Sequence, residues 1–494
     1  MTVRQPEGQQ PGDTAPEELD RVVAAAAETA RVLVGTRPTE RADWLELIAS
    51  RLDAARDELV PLAAQETHLG VDRLQGELKR TTFQLRLFVE VLRDGSFLQA
   101  TIDHADPAWP MGARPDLRRM LRPIGPVAVY AASNFPFAFS VPGGDTASAL
   151  AAGCPVVLKA HPSHPQLSVA TGAHVADALR QAGAPDGVFS VVTGFEAGIA
   201  LVQHPGIRAA SFTGSLRGGR ALFDLAAARP QPIPFYGEMG SVNPAFVTPE
   251  AGSQRADEVA AGFVSSISLG NGQFCTKPGL LFVPAGAGLE DRVGALAGTK
   301  PAAPMLSDDI RSGYSEALAQ LAQRPGVRLV AGEARPEGDP APTILTATVP
   351  DLLSDPEAMT TECFGPAALV VSYGSEEELL AAARVFEGQL TATIHAAGPE
   401  PVTAELLDVL AERVGRVVWN GWPTGVSVTY AQHHGGPYPA TTSVQTTSVG
   451  TAAIDRFLRP VTFQDTPADA LPPALREENP WQLPRRVDGV LQPG

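Results

Sequence analysis

Residues 126–165 read "PVAVYAASNFPFAFSVPGGDTASALAAGCPVVLKAHPSHP". One apolar run, Val127 to Ala132, ends in a polar turn, and a second, Val156 to Leu158, ends at Lys159. Between them a Gly-Gly-Asp turn opens a small-residue helical stretch, so the predicted order is strand, helix, strand. Working outward, "QLSVATGAHVADALRQAG" is amphipathic, "VFSVVTG" is strand-like, and "RAASFTGSLRGGRALFDLA" repeats the passage from strand to helix. Short apolar strands alternating with helices specify an α/β chain whose parallel sheet carries helices on both faces.

This pattern assigns a Rossmann-like unit to residues 124–236. A second alternating region, 237–427, contains "GLLFVP", "SGYSEALAQLAQ" and "ALVVSY" and reads as another α/β unit. Upstream, Glu17 to Arg93 has helical spacing, with Trp44, Leu47, Ile48, Leu52 and Leu59 as its apolar positions. Residues 17–123 are therefore expected to form a helical layer with a strand arm. Residues 1 to about 16, rich in Pro, Gly, Gln and Glu, have the composition of a solvated tail. Residues 428–494 are Pro-rich and strand-like without a core pattern of their own, which fits an arm completed by a partner subunit.

A net charge of -17 argues against nucleic acid as a partner, because phosphate binding needs a basic patch and no Lys/Arg cluster here exceeds a few residues. The first 20 residues lack an apolar signal-peptide core, and no run of 18 apolar residues occurs, so the expectation is a cytoplasmic protein without a membrane partner. Three cysteines, Cys154, Cys275 and Cys363, lie far apart, which suggests neither a disulfide framework nor a zinc ribbon. The nine histidines form no HExxH pattern, and no metal site is expected.

Cys275 in "GNGQFCTKP" (270–278) is either a small apolar filler or a nucleophile. Gly270 and Gly272 permit unusual backbone angles and close approach, Phe274 offers an apolar wall, and Lys277 a positive charge able to lower a thiol pKa or else to face solvent. Glu238 in "YGEMGSVNP" reads as a solvated turn carboxylate or as a general base whose pKa is raised by a partly apolar site. Asn134 in "ASNFPF" follows a strand end, where it caps a turn or donates hydrogen bonds into a crevice. Cys154 and Cys363 read as packing residues. His433 and His434 in "AQHHGGPYP" either line a substrate mouth or pack a loop.

Taken in order, "ASNFPF", "VVLKAHPSHP", "SFTGS", "GEMGSVNP", "GQFCTKP", "ECFGP" and "NGWPTGV" resemble the aldehyde dehydrogenase superfamily over nearly the whole chain, from about residue 40 to "RFLRPVTFQ". More narrowly, "FYGEMGSVNP" and "HGGPYPATTSVQTTSVGTAAIDRFLRPV" resemble the branch of ketoglutaric semialdehyde (2,5-dioxopentanoate) dehydrogenases and related NADP-using enzymes. The resemblance implies a Rossmann-type cofactor domain, an α/β catalytic domain and a small oligomerisation arm in a homodimer or homotetramer. It assigns the nucleophile to Cys275, the general base to Glu238 and an oxyanion donor to Asn134. By the same matching, Lys159 binds adenosine-ribose hydroxyls, with His161 as an added donor. Thr213, Gly214 and Ser215 lie by the pyrophosphate, and Glu362 holds the nicotinamide ribose beside Phe364.

NAD-preferring relatives often carry a glutamate three residues after the ribose-binding lysine, where Pro162 stands here. Loss of that carboxylate favours NADP, with NAD as the alternative and Glu196 near the same phosphate. Thr361 replaces the first of two glutamates in the "TTECFGP" segment, while Glu362 is retained. The implied reaction is oxidation of 2,5-dioxopentanoate to 2-oxoglutarate through a cysteine thioester, and an Arg is expected to meet the substrate carboxylate. A broad aliphatic aldehyde dehydrogenase is the alternative, with Phe135, Phe139, Phe274 and Trp422 as lining candidates. A coenzyme-A-acylating enzyme is disfavoured by Glu238, and a non-catalytic protein on the same fold is the reading of another class.

Overall fold

The structure, a computed structural model, describes residues 12–494. Most of the tail assigned to residues 1–16 lies outside the described residues. Residues 12–14 do not behave as a solvated tail: the Thr14 N–H donates to the Thr193 carbonyl (3.0 Å) and the Thr193 hydroxyl donates to the Gly12 carbonyl (2.6 Å).

Four helices come first: α1 (Pro16–Leu33), α2 (Pro38–Ala54), α3 (Arg56–Thr67) and α4 (Val71–Asp94). α4 buries a stripe at 74, 78, 81, 85, 88 and 92, spacings of three and four that turn one helical face inward, and it ends on Gly95, whose φ of 76° closes the helix in the left-handed conformation. In α2, Trp44, Ile48 and Leu52 are buried, whereas Leu47 faces solvent. Two strands follow, β1 (Thr101–Asp103) and β2 (Leu117–Pro123).

The first parallel sheet consists of β3 (Val127–Tyr130), β4 (Val156–Lys159), β5 (Phe189–Val192), β6 (Ala209–Thr213) and β7 (Phe235–Glu238). Its crossover helices are α5 (Gly144–Ala152), α6 (Pro165–Gln181), α7 (Phe195–Gln203) and α8 (Leu216–Ala227). The strand order β5-β4-β3-β6-β7 reverses direction between β3 and β6, and the crevice outside the carboxyl ends of the strands at such a reversal is where α/β sheets bind ligands. The helical layer is not separate from this sheet. Leu45, Leu78 and Phe88 share one core with Val127, Val129, Val156 and Leu158, because the small residues of α5 and the apolar strands leave a face that α2 and α4 help to cover.

A second sheet runs β10-β11-β12-β9-β8-β13-β14, built from β8 (Ala245–Val247), β9 (Leu280–Pro284), β10 (Arg328–Ala331), β11 (Thr343–Thr348), β12 (Ala367–Tyr373), β13 (Gln389–His395) and β14 (Val414–Trp419). All neighbours are parallel except β10 with β11.

The C-terminal segment corrects the expectation that it lacks core positions. Phe457, Leu471 and Leu475 are buried in the first core. Strands β15 (Leu458–Gln464), β16 (Arg485–Val487) and β17 (Val490–Gln492) form a third sheet with β1 and β2 of the same chain, in the order β15-β2-β1-β16-β17.

Candidate active site

Three separate stretches deliver the central side chains. Glu238 ends β7 beside Thr213 at the carboxyl end of β6, and the Gly214 N–H donates to the Glu238 carbonyl (3.1 Å). Cys275 sits in the turn before β9. Gly270 and Gly272, with φ of 56° and 68°, shape that turn; a Cβ on Gly272 would fall 2.2 Å from the Gly365 carbonyl oxygen, so the close approach requires glycine. His434 is carried in by the loop after β14.

The side chains converge. His434 Nε2 is 2.9 Å from Glu238 Oε1 and 3.6 Å from Cys275 Sγ, and the Ser448 hydroxyl donates to Glu238 Oε2 at 2.5 Å. His434 Nδ1 is buried without a partner. A buried N–H without an acceptor is costly, so the hydrogen-bond pattern assigns the ring proton to Nε2, which donates to Glu238.

Electrostatics separates the two titrating groups. Burial pushes the Cys275 thiol well above its usual range, and the adjacent Glu238 carboxylate pushes it further. Burial also pushes Glu238 upward, but His434 and the Ser448 hydroxyl outweigh it and hold the carboxyl below its ordinary value. This corrects the expectation of a raised Glu238. Lys277 does not act on the thiol: it is buried, and its ammonium donates to the Cys363 and Ala367 carbonyls (2.8 and 2.7 Å). There it braces the loop that carries Glu362, whose carboxyl burial raises to about 7 against the pull of Lys277.

Asn134 is buried in the loop after β3, and its amide donates to the Gln273 carbonyl (3.1 Å), which brings it to the cysteine turn. Beside Cys275 opens a cavity of about 250 Å³ walled by Phe135, Phe139 and Phe274, with Arg73, Glu77 and Arg80 of α4 along one flank. Trp422 is not part of this wall. It packs on Phe263 and His395, with ring centroids 5.6 and 4.4 Å away.

The carboxyl edge of the first sheet has the features of a dinucleotide site. Lys159 ends β4, and its side chain lies against Gly198 of α7, where a Cβ would approach Lys159 Cε to 3.3 Å. Thr213, Gly214 and Ser215 lead into the N-terminus of α8, where unpaired backbone N–H groups favour an anion; Ser215 caps that end, its hydroxyl accepting from the Gly218 N–H (3.2 Å). Phe195 and Leu216, at the starts of α7 and α8, present apolar side chains to solvent, Phe195 with 74% of its surface exposed. His161 is forced toward its neutral form by burial, stacks on His164 and accepts from the Ser163 N–H (3.1 Å). Glu362 Oε2 lies where a Cβ on Gly240 would be 2.5 Å away. These residues fit a nicotinamide dinucleotide and would hold it at this edge.

The model of the aldehyde dehydrogenase family matches residues 7–460. The chain belongs to the aldehyde dehydrogenase family. Among curated proteins, it is 48% identical to alpha-ketoglutaric semialdehyde dehydrogenase 2 of Azospirillum brasilense over 460 residues, covering 92% of this chain and 87% of the relative. It is 44% identical to alpha-ketoglutaric semialdehyde dehydrogenase of Acinetobacter baylyi over 481 residues, covering 96% and 91%. The fold matches aldehyde dehydrogenase 21 of Physcomitrella patens in complex with the reaction product succinate (TM-score 0.77, 20% identity, 93% and 92% covered). It also matches the NAD+ complex of an aldehyde dehydrogenase from Bacillus cereus (TM-score 0.76, 21% identity, 92% and 89% covered).

Against this aldehyde dehydrogenase frame, Cys275 and Glu238 meet at His434 and Asn134 reaches the cysteine turn at Gln273, while Lys159, His161, Thr213, Gly214 and Ser215 lie at the carboxyl edge of the first sheet. Glu362 and Phe364 flank Cys363 on the loop before β12; Cys363 is buried and packs in the second core, as Cys154 does in the first. Glu196 lies exposed in the first turn of α7. Sequence reasoning placed His434 only as a mouth or loop residue, and it missed Ser448, Arg73 and Arg80. The His-His-Gly-Gly run was the one local signal available, since a histidine ahead of paired glycines marks a tight loop without saying where it lands.

Proposed function

We propose that the enzyme oxidises 2,5-dioxopentanoate to 2-oxoglutarate, taking NADP in preference to NAD. The observation that carries the reading is a half-buried thiol that lines an aromatic cavity, beside an ionised carboxylate and in a turn that receives an amide donor. The substrate assignment is supported by the two relatives of 48% and 44% identity, both ketoglutaric semialdehyde dehydrogenases by name. The NADP preference is supported by Pro162, which removes a carboxylate from the ribose end of the cofactor edge.

In this reading the thiol is protonated at rest, and its proton passes to the ionised Glu238 carboxylate as sulfur attacks the aldehyde carbon; Glu238 releases that proton to solvent before hydrolysis. The oxyanion of the thiohemiacetal accepts from the Asn134 amide and the Cys275 N–H. When bound, the nicotinamide supplies the hydride acceptor that turns this adduct into a thioester. Glu238, ionised because His434 and Ser448 hold its pKa down, then takes a proton from the water that hydrolyses the thioester.

The enzyme is further proposed to be a cytoplasmic homodimer or homotetramer. Three unpaired cysteines support a reducing compartment. The third sheet ends on the open strand β17, with Val490 and Leu491 exposed, and the second ends on β14 with Trp419 exposed, edges that suit pairing with a second copy. Among the described residues no helix is long and apolar enough to cross a membrane.

The test is kcat/KM for 2,5-dioxopentanoate and for hexanal, each with NADP and with NAD, alongside Cys275→Ala. Preference for the keto acid with NADP, abolished in Cys275→Ala, is expected. A preference for hexanal would move the enzyme to general aliphatic aldehydes, and turnover that survives Cys275→Ala would overturn the mechanism.

A further inference from the structure

Among the described residues, six arginines carry a buried nitrogen without a hydrogen-bond partner, and in four of them it is the inner Nε. The exceptions are Arg73 and Arg80, whose terminal Nη1 atoms are buried and unpartnered, and both line the cavity beside Cys275. A terminal guanidinium nitrogen is the part of the fork that reaches a carboxylate.

Other atoms of both side chains are held in place. Arg73 Nη2 donates to the Asn134 carbonyl at 2.7 Å, and the guanidinium lies over Phe274 and Phe135, 4.7 and 5.3 Å from the ring centroids. Arg80 Nε and Nη2 donate to the Val426 carbonyl (3.4 and 3.3 Å), and its guanidinium lies over Phe139 at 5.6 Å. Aromatic faces and backbone carbonyls thus hold both forks in place before a ligand arrives, which reduces the ordering cost of binding. Glu77, between them on α4, is engaged by the Phe137 and Ala138 N–H groups at Oε1, 2.8 and 2.9 Å away. Two arginines and one glutamate leave this flank with a positive excess. Arg416 also lies near the thiol, but both its terminal nitrogens are taken by the Gly425 and Pro423 carbonyls.

We propose that Arg80, supported by Arg73, is the subsite for the carboxylate of an ω-oxo acid substrate, so that these residues of α4 set the preference for an acidic over a neutral aldehyde. The inference rests on the substrate class proposed above and names the residues that select it. Four C–C bonds of about 1.5 Å separate the ends of a five-carbon chain, a span of roughly 5 Å, and Cys275 and Arg80 line the same cavity. The apolar rings would cover the intervening methylenes. Arg80 is the cleaner residue to test, because Arg73 also holds the backbone of Asn134.

The experiment measures kcat/KM for 2,5-dioxopentanoate and for pentanal in wild type, Arg80→Gln and Arg80→Lys, and reads their ratio. In wild type the acid is preferred; in Arg80→Gln the ratio falls roughly 30- to 1,000-fold, mainly through KM, as removal of one partner of a desolvated charged contact predicts. Arg80→Lys retains the charge without the fork and keeps part of the preference. As a readout independent of turnover, 2-oxoglutarate protects Cys275 from iodoacetamide in wild type and not in Arg80→Gln. A wild type without preference for the acid would overturn the substrate class and this subsite with it. A wild-type preference that persists in Arg80→Gln, or a parallel fall for both aldehydes in both variants, would overturn the subsite alone.

Discussion

The imidazole of His434 bridges the nucleophile and the base: one nitrogen, Nε2, stands 2.9 Å from Glu238 Oε1 and 3.6 Å from Cys275 Sγ. Nε2 already carries the ring proton, so His434 acts on the reaction by holding Glu238 ionised beside the protonated thiol, ready to take its proton. His434→Gln is expected to slow the acylation half-reaction by roughly 100-fold, in the range of a lost acid–base group. Stopped-flow formation of reduced cofactor checks this, together with the pH dependence of Cys275 alkylation by iodoacetamide. An unchanged burst and an unchanged alkylation profile would reduce His434 to packing.

Asn134 tests the oxyanion site. Its backbone carbonyl is held by Arg73 and survives substitution, so Asn134→Ala removes only the amide that reaches toward the cysteine turn. A fall of about 100- to 1,000-fold in kcat is expected, with circular dichroism unchanged. A loss below tenfold would show that the amide serves Gln273 and not the reaction.

The cofactor edge holds two opposing features. Pro162 withholds one carboxylate, yet Asp13, in the segment pinned to Thr193, supplies another: it packs on Gly194, and its charge offsets the burial that lowers the pKa of Lys159. Asp13→Asn is expected to strengthen NADP binding about two- to fivefold relative to NAD, the size of an exposed, screened charge effect. Fluorescence titration of both cofactors decides it; equal shifts for the two would place Asp13 away from the 2′-phosphate.

Glu362 links the same edge to stability. Its carboxyl is raised to about 7 in the folded protein from an ordinary 4.5, so the native state binds the extra proton between those values. Stability contributed by this group is therefore lost as pH rises from about 4.5 through 7, by at most about 3 kcal/mol. Glu362→Gln should raise the Tm of the cofactor-free enzyme more at pH 8 than at pH 5. Equal shifts at both values would contradict the raised carboxyl.

How much of this was legible in the sequence follows from where each residue gets its position. Cys275 and Asn134 sit in turns beside strand ends and Glu238 closes β7; the glycines and apolar runs around them are local signals that left each role open, and the family resemblance assigned the roles. His434, Ser448 and Arg80 come from a distant loop and a helix flank, and only the folded backbone carries them to the thiol. Lys277 looked like an activator because it is two residues from Cys275, but its ammonium turns under the Glu362 loop. Glu238 looked like a base raised by burial because the histidine that lowers it is nearly 200 residues away. Phe457 and Leu475 in the C-terminal segment escaped detection because irregular, Pro-rich chain has no period to reveal which side chains are buried.

In the proposed reaction Cys275 carries a covalent acyl intermediate which Glu238 resolves. The direct measurement is rapid-quench mass spectrometry of Glu238→Gln mixed with 2,5-dioxopentanoate and NADP. The predicted result is one equivalent of reduced cofactor per active site, followed by near arrest, with the acyl group on the peptide that carries Cys275. An acyl group on Cys154 or Cys363, or continued wild-type turnover without an adduct, would contradict it.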